Sequence, residues 1–131
     1  MKKRILLAGI VVFVLWSVLD FILHGLILKS TYESTASLWR PIPEMKMGLM
    51  YATVFIAALA FSAIYVYLVI NKSRMVGLIY GLLYGISMGV SMGYGSYSVM
   101  PIPYSMALTW FLGTIAEGVL GGLLLGVIIK N

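Results

Sequence analysis

The chain has 131 residues, 62% of them hydrophobic and only 10% charged, with a mean hydropathy of +1.05. Soluble domains carry roughly 25% charged residues, and a domain of ~150 residues buries only ~70% of the surface its unfolded chain exposes. This much apolar surface excludes soluble globular, disordered and nucleic-acid-binding classes and points to an integral membrane protein. The net charge of +5 sits at segment ends, on Lys2, Lys3 and Arg4, then Lys72 and Arg74, then Lys130. That is the distribution of topology determinants, not of a phosphate-binding stripe.

The first apolar run covers 5–28. A basic start and an apolar run also describe a signal peptide, but 24 residues is long for one, and no small-x-small site closes the run before Lys29. It reads as a retained transmembrane helix. Ser30 and Glu33 then fit a capping box, which predicts a short interfacial helix over 31–39. Tyr32 and Trp39 share one face of it, as in an aromatic belt, and Pro41 and Pro43 end it. Further apolar runs cover 47–70, 75–100 and 104–129, separated by a tight turn at 71–74 and by the Pro101-Ile-Pro103 segment. About 20 residues suffice to span a bilayer, and no run shows the alternation of an outer-membrane strand. The sequon Asn71-Lys-Ser73 falls on the inner side and carries no meaning there.

The expected fold is therefore all-α, a bundle of four transmembrane helices with a short outer interfacial helix, forming one membrane domain over 1–131. Six cations flank one side of the spans, and three, Lys29, Arg40 and Lys46, flank the other. The positive-inside rule then places both termini in the cytoplasm of a bacterial inner (plasma) membrane. Pro-Ile-Pro recurs at 41–43 and 101–103, as a tandem two-helix-hairpin repeat would have it. Proline also simply suits a helix start.

Few residues can carry chemistry. Asp20 and His24 lie four apart on the first helix and so share a face. Glu117 is central in the fourth segment. Asp20 lies about 5 Å outward of its own helix centre, so the two carboxyls can meet at similar depth. A carboxylate at mid-bilayer costs ~2.5–3.5 kcal/mol on insertion scales and normally faces the bundle interior. The buried cluster of Asp20, His24 and Glu117 is either a proton or cation site or a satisfied polar cluster that fixes helix register or meets a neighbouring subunit. Tyr80, Tyr84, Ser87, Ser91, Tyr94 and Ser98 follow at helical spacing as a lane of hydroxyls, expected to face the interior, where it can bond the cluster, hold water or tie helices together.

Gly77, Gly81, Gly85, Gly89 and Gly93 recur every fourth residue beside that lane, and Gly118, Gly122 and Gly126 do so on the fourth helix. This glycine-zipper pattern marks close helix contact, within one bundle or between subunits. Among nine methionines, Met88 and Met92 are spaced for a soft metal such as Cu(I), with Met45, Met47, Met100 and Met106 near the outer side. Their Met-x-x-x-Met beside Gly-x-x-x-Gly resembles copper-uptake channels, though order and helix number differ. The chain has no cysteine, which excludes disulfides, thiol chemistry and iron–sulfur clusters. One histidine cannot give bis-histidine haem ligation, and zinc would need Asp20, His24 and Glu117 together. No nucleophile–base pair accompanies His24, so neither an enzyme nor a cofactor is implied.

Trp16-Ser-Val-Leu-Asp20, His24-Gly25, Tyr32 and Leu38-Trp39-Arg40 resemble uncharacterised small four-span bacterial inner-membrane proteins. That resemblance implies the membrane fold and no settled activity. The His24-Gly25 pair also resembles DoxX-like four-span proteins, some of them linked to quinone chemistry. Small multidrug-resistance proteins and fluoride channels share the size but not the glutamate placement or polar motifs. The leading expectation is a non-enzymatic accessory or oligomer-forming membrane subunit, a homo-oligomer or part of a larger complex, that meets lipid and no nucleic acid. The second is a proton- or cation-linked channel or transporter using Asp20, His24 and Glu117, with copper a minor option.

Overall fold

The computed structural model describes all 131 residues, 85% of them helical, with no strand. The helices are α1 (Lys2–Ile27), α2 (Lys29–Ser34), α3 (Met47–Leu68), α4 (Arg74–Val99) and α5 (Tyr104–Ile128). Two single 3₁₀ turns, Ala36–Leu38 and Ile42–Glu44, lie between α2 and α3. All but α2 are long and apolar enough to cross a membrane. They run alternately up and down, with both termini and the Val69–Ser73 turn on one face of the bundle and residues 28–46 on the other. The first is called the terminal face here, the second the loop face.

Local chemistry sets the ends. Ser73 caps α4 through its Oγ, which accepts from the Val76 N–H at 3.1 Å, satisfying a donor the helix itself leaves free. Lys72 Nζ donates to the Val69 carbonyl at 2.7 Å and the Tyr65 hydroxyl to that of Ser73 at 3.2 Å, closing the turn. Arg4 donates to the Lys130 carbonyl at 2.6 Å and ties the two ends of the chain together.

The capping box does not form. Leu28 is the N-cap of α2 and makes no side-chain cap bond, and Ser30 lies inside the helix. The cause is upstream. Phe21–Ile27 winds as π-helix, and the Leu28 N–H bonds back to the Leu23 carbonyl at 2.9 Å, so α2 starts two residues earlier than the motif requires. It also stops early. The Thr35 hydroxyl bonds the Thr31 carbonyl at 2.8 Å, a back-bond that competes with helix continuation. The Pro-Ile-Pro copies occupy unlike places. The first opens a separate 3₁₀ turn with Ile42 exposed, whereas Pro103 is the N-cap of α5 and Ile102 is buried.

In lipid no hydrophobic force drives helices together, so close van der Waals packing must. The α4–α5 seam supplies it. A Cβ built on Gly81 would lie 1.9 Å from the Gly118 carbonyl oxygen, one on Gly77 2.2 Å from that of Gly122, and one on Gly93 2.6 Å from that of Ala107. α1 meets α3 where Gly9 receives Leu59 and where Phe13 packs edge-on to Phe55, 5.5 Å between centroids. α1 meets α5 where Gly113 receives Leu23 and Gly121 receives Trp16. α3 joins α4 through rings instead. Phe61 stacks on Tyr80 at 4.7 Å, and the Tyr80 hydroxyl donates to the Phe61 carbonyl at 2.6 Å.

These contacts divide the bundle in two. Toward the terminal face, Val12, Trp16, Phe61, Tyr65, Leu125 and Ile129 form a closed apolar core. Toward the loop face, α3 departs from its neighbours, and residues 47–53 are all exposed. A smaller cluster of Leu28, Ile102, Met106 and Ala107 seats Tyr32, Trp39 and Trp110 there.

Candidate functional site

Asp20 ends the regular α-helical part of α1, and Glu117 sits near the middle of α5. Leu23 in the notch of Gly113, and Trp16 in that of Gly121, register the two helices on either side of the pair. The Trp16 indole N–H donates to the Glu117 carbonyl at 2.8 Å and fixes that register. The side chains of Asp20 and Glu117 neighbour each other across the α1–α5 seam. Two carboxylates offer only acceptors, so a hydrogen bond between them requires one shared proton. Glu117 Oε1 is buried without any hydrogen-bond partner, as are the hydroxyls of Ser17 and Ser62. Tyr84 lies beside Glu117 and stacks on Trp16 at 6.2 Å, with Phe61 edge-on at 4.7 Å.

From this pair a polar chain runs to the loop face. His24, one turn beyond Asp20, has Nε2 3.9 Å from Asp20 Oδ1, and its Nδ1 is 2.7 Å from the Tyr32 hydroxyl. The Trp110 indole N–H lies 2.9 Å from that same hydroxyl. An indole N–H can only donate, so the Tyr32 oxygen accepts from Trp110. The Tyr32 hydrogen then has one acceptor in reach, His24 Nδ1. A neutral His24 therefore carries its hydrogen on Nε2, facing Asp20. Burial raises the Tyr32 phenol above its usual range, against the opposing effect of the Trp110 hydrogen bond, and keeps it a neutral donor. Trp39 packs edge-on against Tyr32 at 5.4 Å and donates to the Thr35 hydroxyl at 2.9 Å, pinning α2 over the chain.

The site is not sealed. The Asp20 and His24 side chains are 33% and 41% exposed, so the pair sits at an edge, not in a dry core. No group of three histidine or acidic side chains converges for a metal ion. His24 turns toward Tyr32 rather than toward Glu117.

The hydroxyl lane does not face the interior along its whole length. Tyr80 and Tyr84 point inward against Phe61, but Ser87, Ser91 and Ser98 are exposed. Two causes combine. α3 no longer covers α4 at the level of Ser87 and Ser91. From Val90 to Gly95, Ser91 included, the chain winds as π-helix, and its wider turn breaks the 3.6-residue period that the spacing assumed. Tyr94 consequently reaches the Tyr104 hydroxyl at 3.0 Å, and Ser98 bonds the Gly95 carbonyl at 2.7 Å. Met88 and Met92 are exposed on α4 while Met106 is fully buried, so these thioethers do not converge.

Trp110 is the participant that sequence reasoning misses. It lies seven residues, two helical turns, before Glu117 on the same face of α5, the one signal that could have linked it to the acid. Gly113 and Gly121, which admit Leu23 and Trp16, fall outside the every-fourth pattern and escape for that reason. Compared with known protein families, with curated proteins and with solved structures, the chain matches none.

Proposed function

We propose that this chain is a non-enzymatic subunit of a membrane assembly, oriented with cytoplasmic termini in a bacterial inner membrane, and that Asp20 and Glu117 hold one proton between them as a structural bolt. One observation carries this reading. The acid pair connects to the loop face through His24 and the Tyr32 hydroxyl bonded to it, while toward the terminal face no hydrogen-bonded chain continues: the Tyr80 and Tyr65 hydroxyls end on backbone carbonyls and the buried Ser62 hydroxyl has no partner. A permeation path needs polar groups to both faces, whereas a subunit needs a partnered acid pair and a face to present. Ser87 and Ser91 on α4, polar and exposed within a spanning segment, suit such a face, because a hydroxyl gains little from lipid and more from a neighbouring helix.

The second reading is proton-linked transport, favoured by the Trp110–Tyr32–His24 chain leading to an acidic pair at membrane depth. Glu117→Gln separates the two. An amide donates to the Asp20 carboxylate and replaces the shared proton. If the pair is a bolt, wild type gives no pH-driven proton flux in proteoliposomes, and the variant keeps its thermal stability and oligomeric state. If the pair carries protons, wild type gives flux and the variant, equally well folded, does not.

A further inference from the structure

We infer that the groove where residues 39–46 meet the start of α3 binds an anionic phospholipid, its phosphate between Arg40 and Lys46 and an acyl chain along Met47 and Met50. The groove has a volume of about 370 Å³. Arg40 and Lys46 line it together with Trp39, Met45, Met47 and Met50.

Three features converge on this ligand. First, the two cations are unpaired. The only side-chain ion pair within 4.0 Å is that of His24 and Asp20, so neither Glu33 nor Glu44 neutralises them. Arg4 and Lys72 donate to backbone carbonyls, but Arg40 and Lys46 donate to nothing. Arginine and lysine together suit a phosphate, the first as a planar fork and the second as a point charge. Second, the groove lies at the right depth. Lys46 immediately precedes Met47, the first residue of the spanning helix α3, so the cations stand at the headgroup layer, with Trp39 beside them as an interfacial indole. Third, the apolar floor continues into an uncovered track. Residues 47–53 of α3 are exposed as far as Thr53, which gives an acyl chain a surface that a free anion would not use. Thioethers also suit soft cations, but two unneutralised positive charges on the same groove oppose a cation.

The site is separate from the acid pair and holds whichever reading of that pair is correct. It is tested on the full-length protein purified in detergent, offered equal amounts of phosphatidylglycerol and phosphatidylcholine, with bound lipid read by native mass spectrometry. Each cation near a membrane surface contributes about fivefold, so the two together should give about a thirtyfold preference for phosphatidylglycerol. R40Q/K46Q should bring the two lipids to near parity with an unchanged melting temperature, because both side chains are exposed. K2Q/K3Q, which removes two cations from the other face, should keep the preference. If the double variant does not fold, R40Q and K46Q singly should each lower the preference about fivefold. Three results would overturn the assignment: no preference in wild type, a preference that survives R40Q and K46Q, or equal loss in K2Q/K3Q. Glycerol 3-phosphate at the same concentration should not displace the lipid. Displacement would assign the groove to a small anion and defeat the acyl-chain part of the argument.

Discussion

Gly81→Ala puts the α4–α5 seam to its most direct test. The added methyl would sit 1.9 Å from the Gly118 carbonyl oxygen, 2.7 Å from its carbonyl carbon and 3.0 Å from Gly122 Cα. All three neighbours are backbone, so no side chain can swing aside. Ordinary contact begins near 3.4 Å, so the helices must part by about 1.5 Å at this level. A gap of 0.5–1 Å already forfeits roughly a quarter to a half of each van der Waals contact. The contacts at risk run from Gly77 against Gly126 to Gly93 against Ala107, about 24 Å of helix. Overpacking in cores costs about 1–3 kcal/mol, and a rigid backbone on both sides places this case at or above the upper end, about 3 kcal/mol. Gly48→Ala is the control, because a Cβ there meets nothing within 4 Å, and alanine in a helix gains about 0.5–1 kcal/mol. Unfolding in mixed detergent micelles, followed by circular dichroism, reads both. The reasoning fails if Gly81→Ala unfolds at the wild-type detergent fraction, or if Gly48→Ala is destabilised as much.

Tyr32→Phe keeps the ring but removes the hydroxyl that accepts from Trp110 and donates to His24, leaving two part-buried nitrogens unpaired at a cost of about 1–3 kcal/mol. Amide exchange over 29–39 should quicken while α4 and α5 stay protected, and unchanged exchange would mean that packing alone holds α2. The orientation predicts that cysteines introduced at 2, 73 and 130 resist an impermeant external thiol reagent and that one at 36 reacts. The opposite pattern would invert the topology.

The fold was legible because its signal is spread over many residues. Four long apolar runs can only be spans, and their ends agree with the observed helices to within a few residues. What misled was local. Ser30 and Glu33 have the right identities for a capping box, but the π-turn after Asp20 delivers the chain to α2 in another register, and single-residue spacing cannot reveal a π-turn. The same limit split the hydroxyl lane, since the count from Tyr80 to Ser98 presumes an unbroken α-helix. The acids were readable as candidate neighbours because leaving either alone at membrane depth is so costly. His24 was readable as a neighbour of Asp20, but not as an acceptor from Tyr32, because that role depends on a tryptophan 78 residues further along the chain.

The distribution of close contacts gives the acid pair its mechanical meaning. Glycine notches lock α4 to α5 backbone against backbone, and Gly9 seats Leu59 to join α1 to α3. Between these two hairpin-like halves the joints are side chains, with Phe61 and Tyr80 on one side and Trp16, Leu23, Asp20 and Glu117 on the other. Asp20 belongs to one half and Glu117 to the other, so the proton proposed between them would bridge the weaker seam. It would do so at the depth where α3 turns away and the apolar core ends. Without that proton the seam would carry two facing negative charges. Like charges about 4 Å apart repel by about 4 kcal/mol at an effective dielectric of about 20. A repulsion of that size rivals the packing available at the loop-face end, where residues 47–53 of α3 are exposed, but not the glycine seam of α4 and α5. Any loosening on loss of the proton must therefore begin between α1 and α5, toward the loop face, where His24 and Tyr32 already connect the pair to the surface.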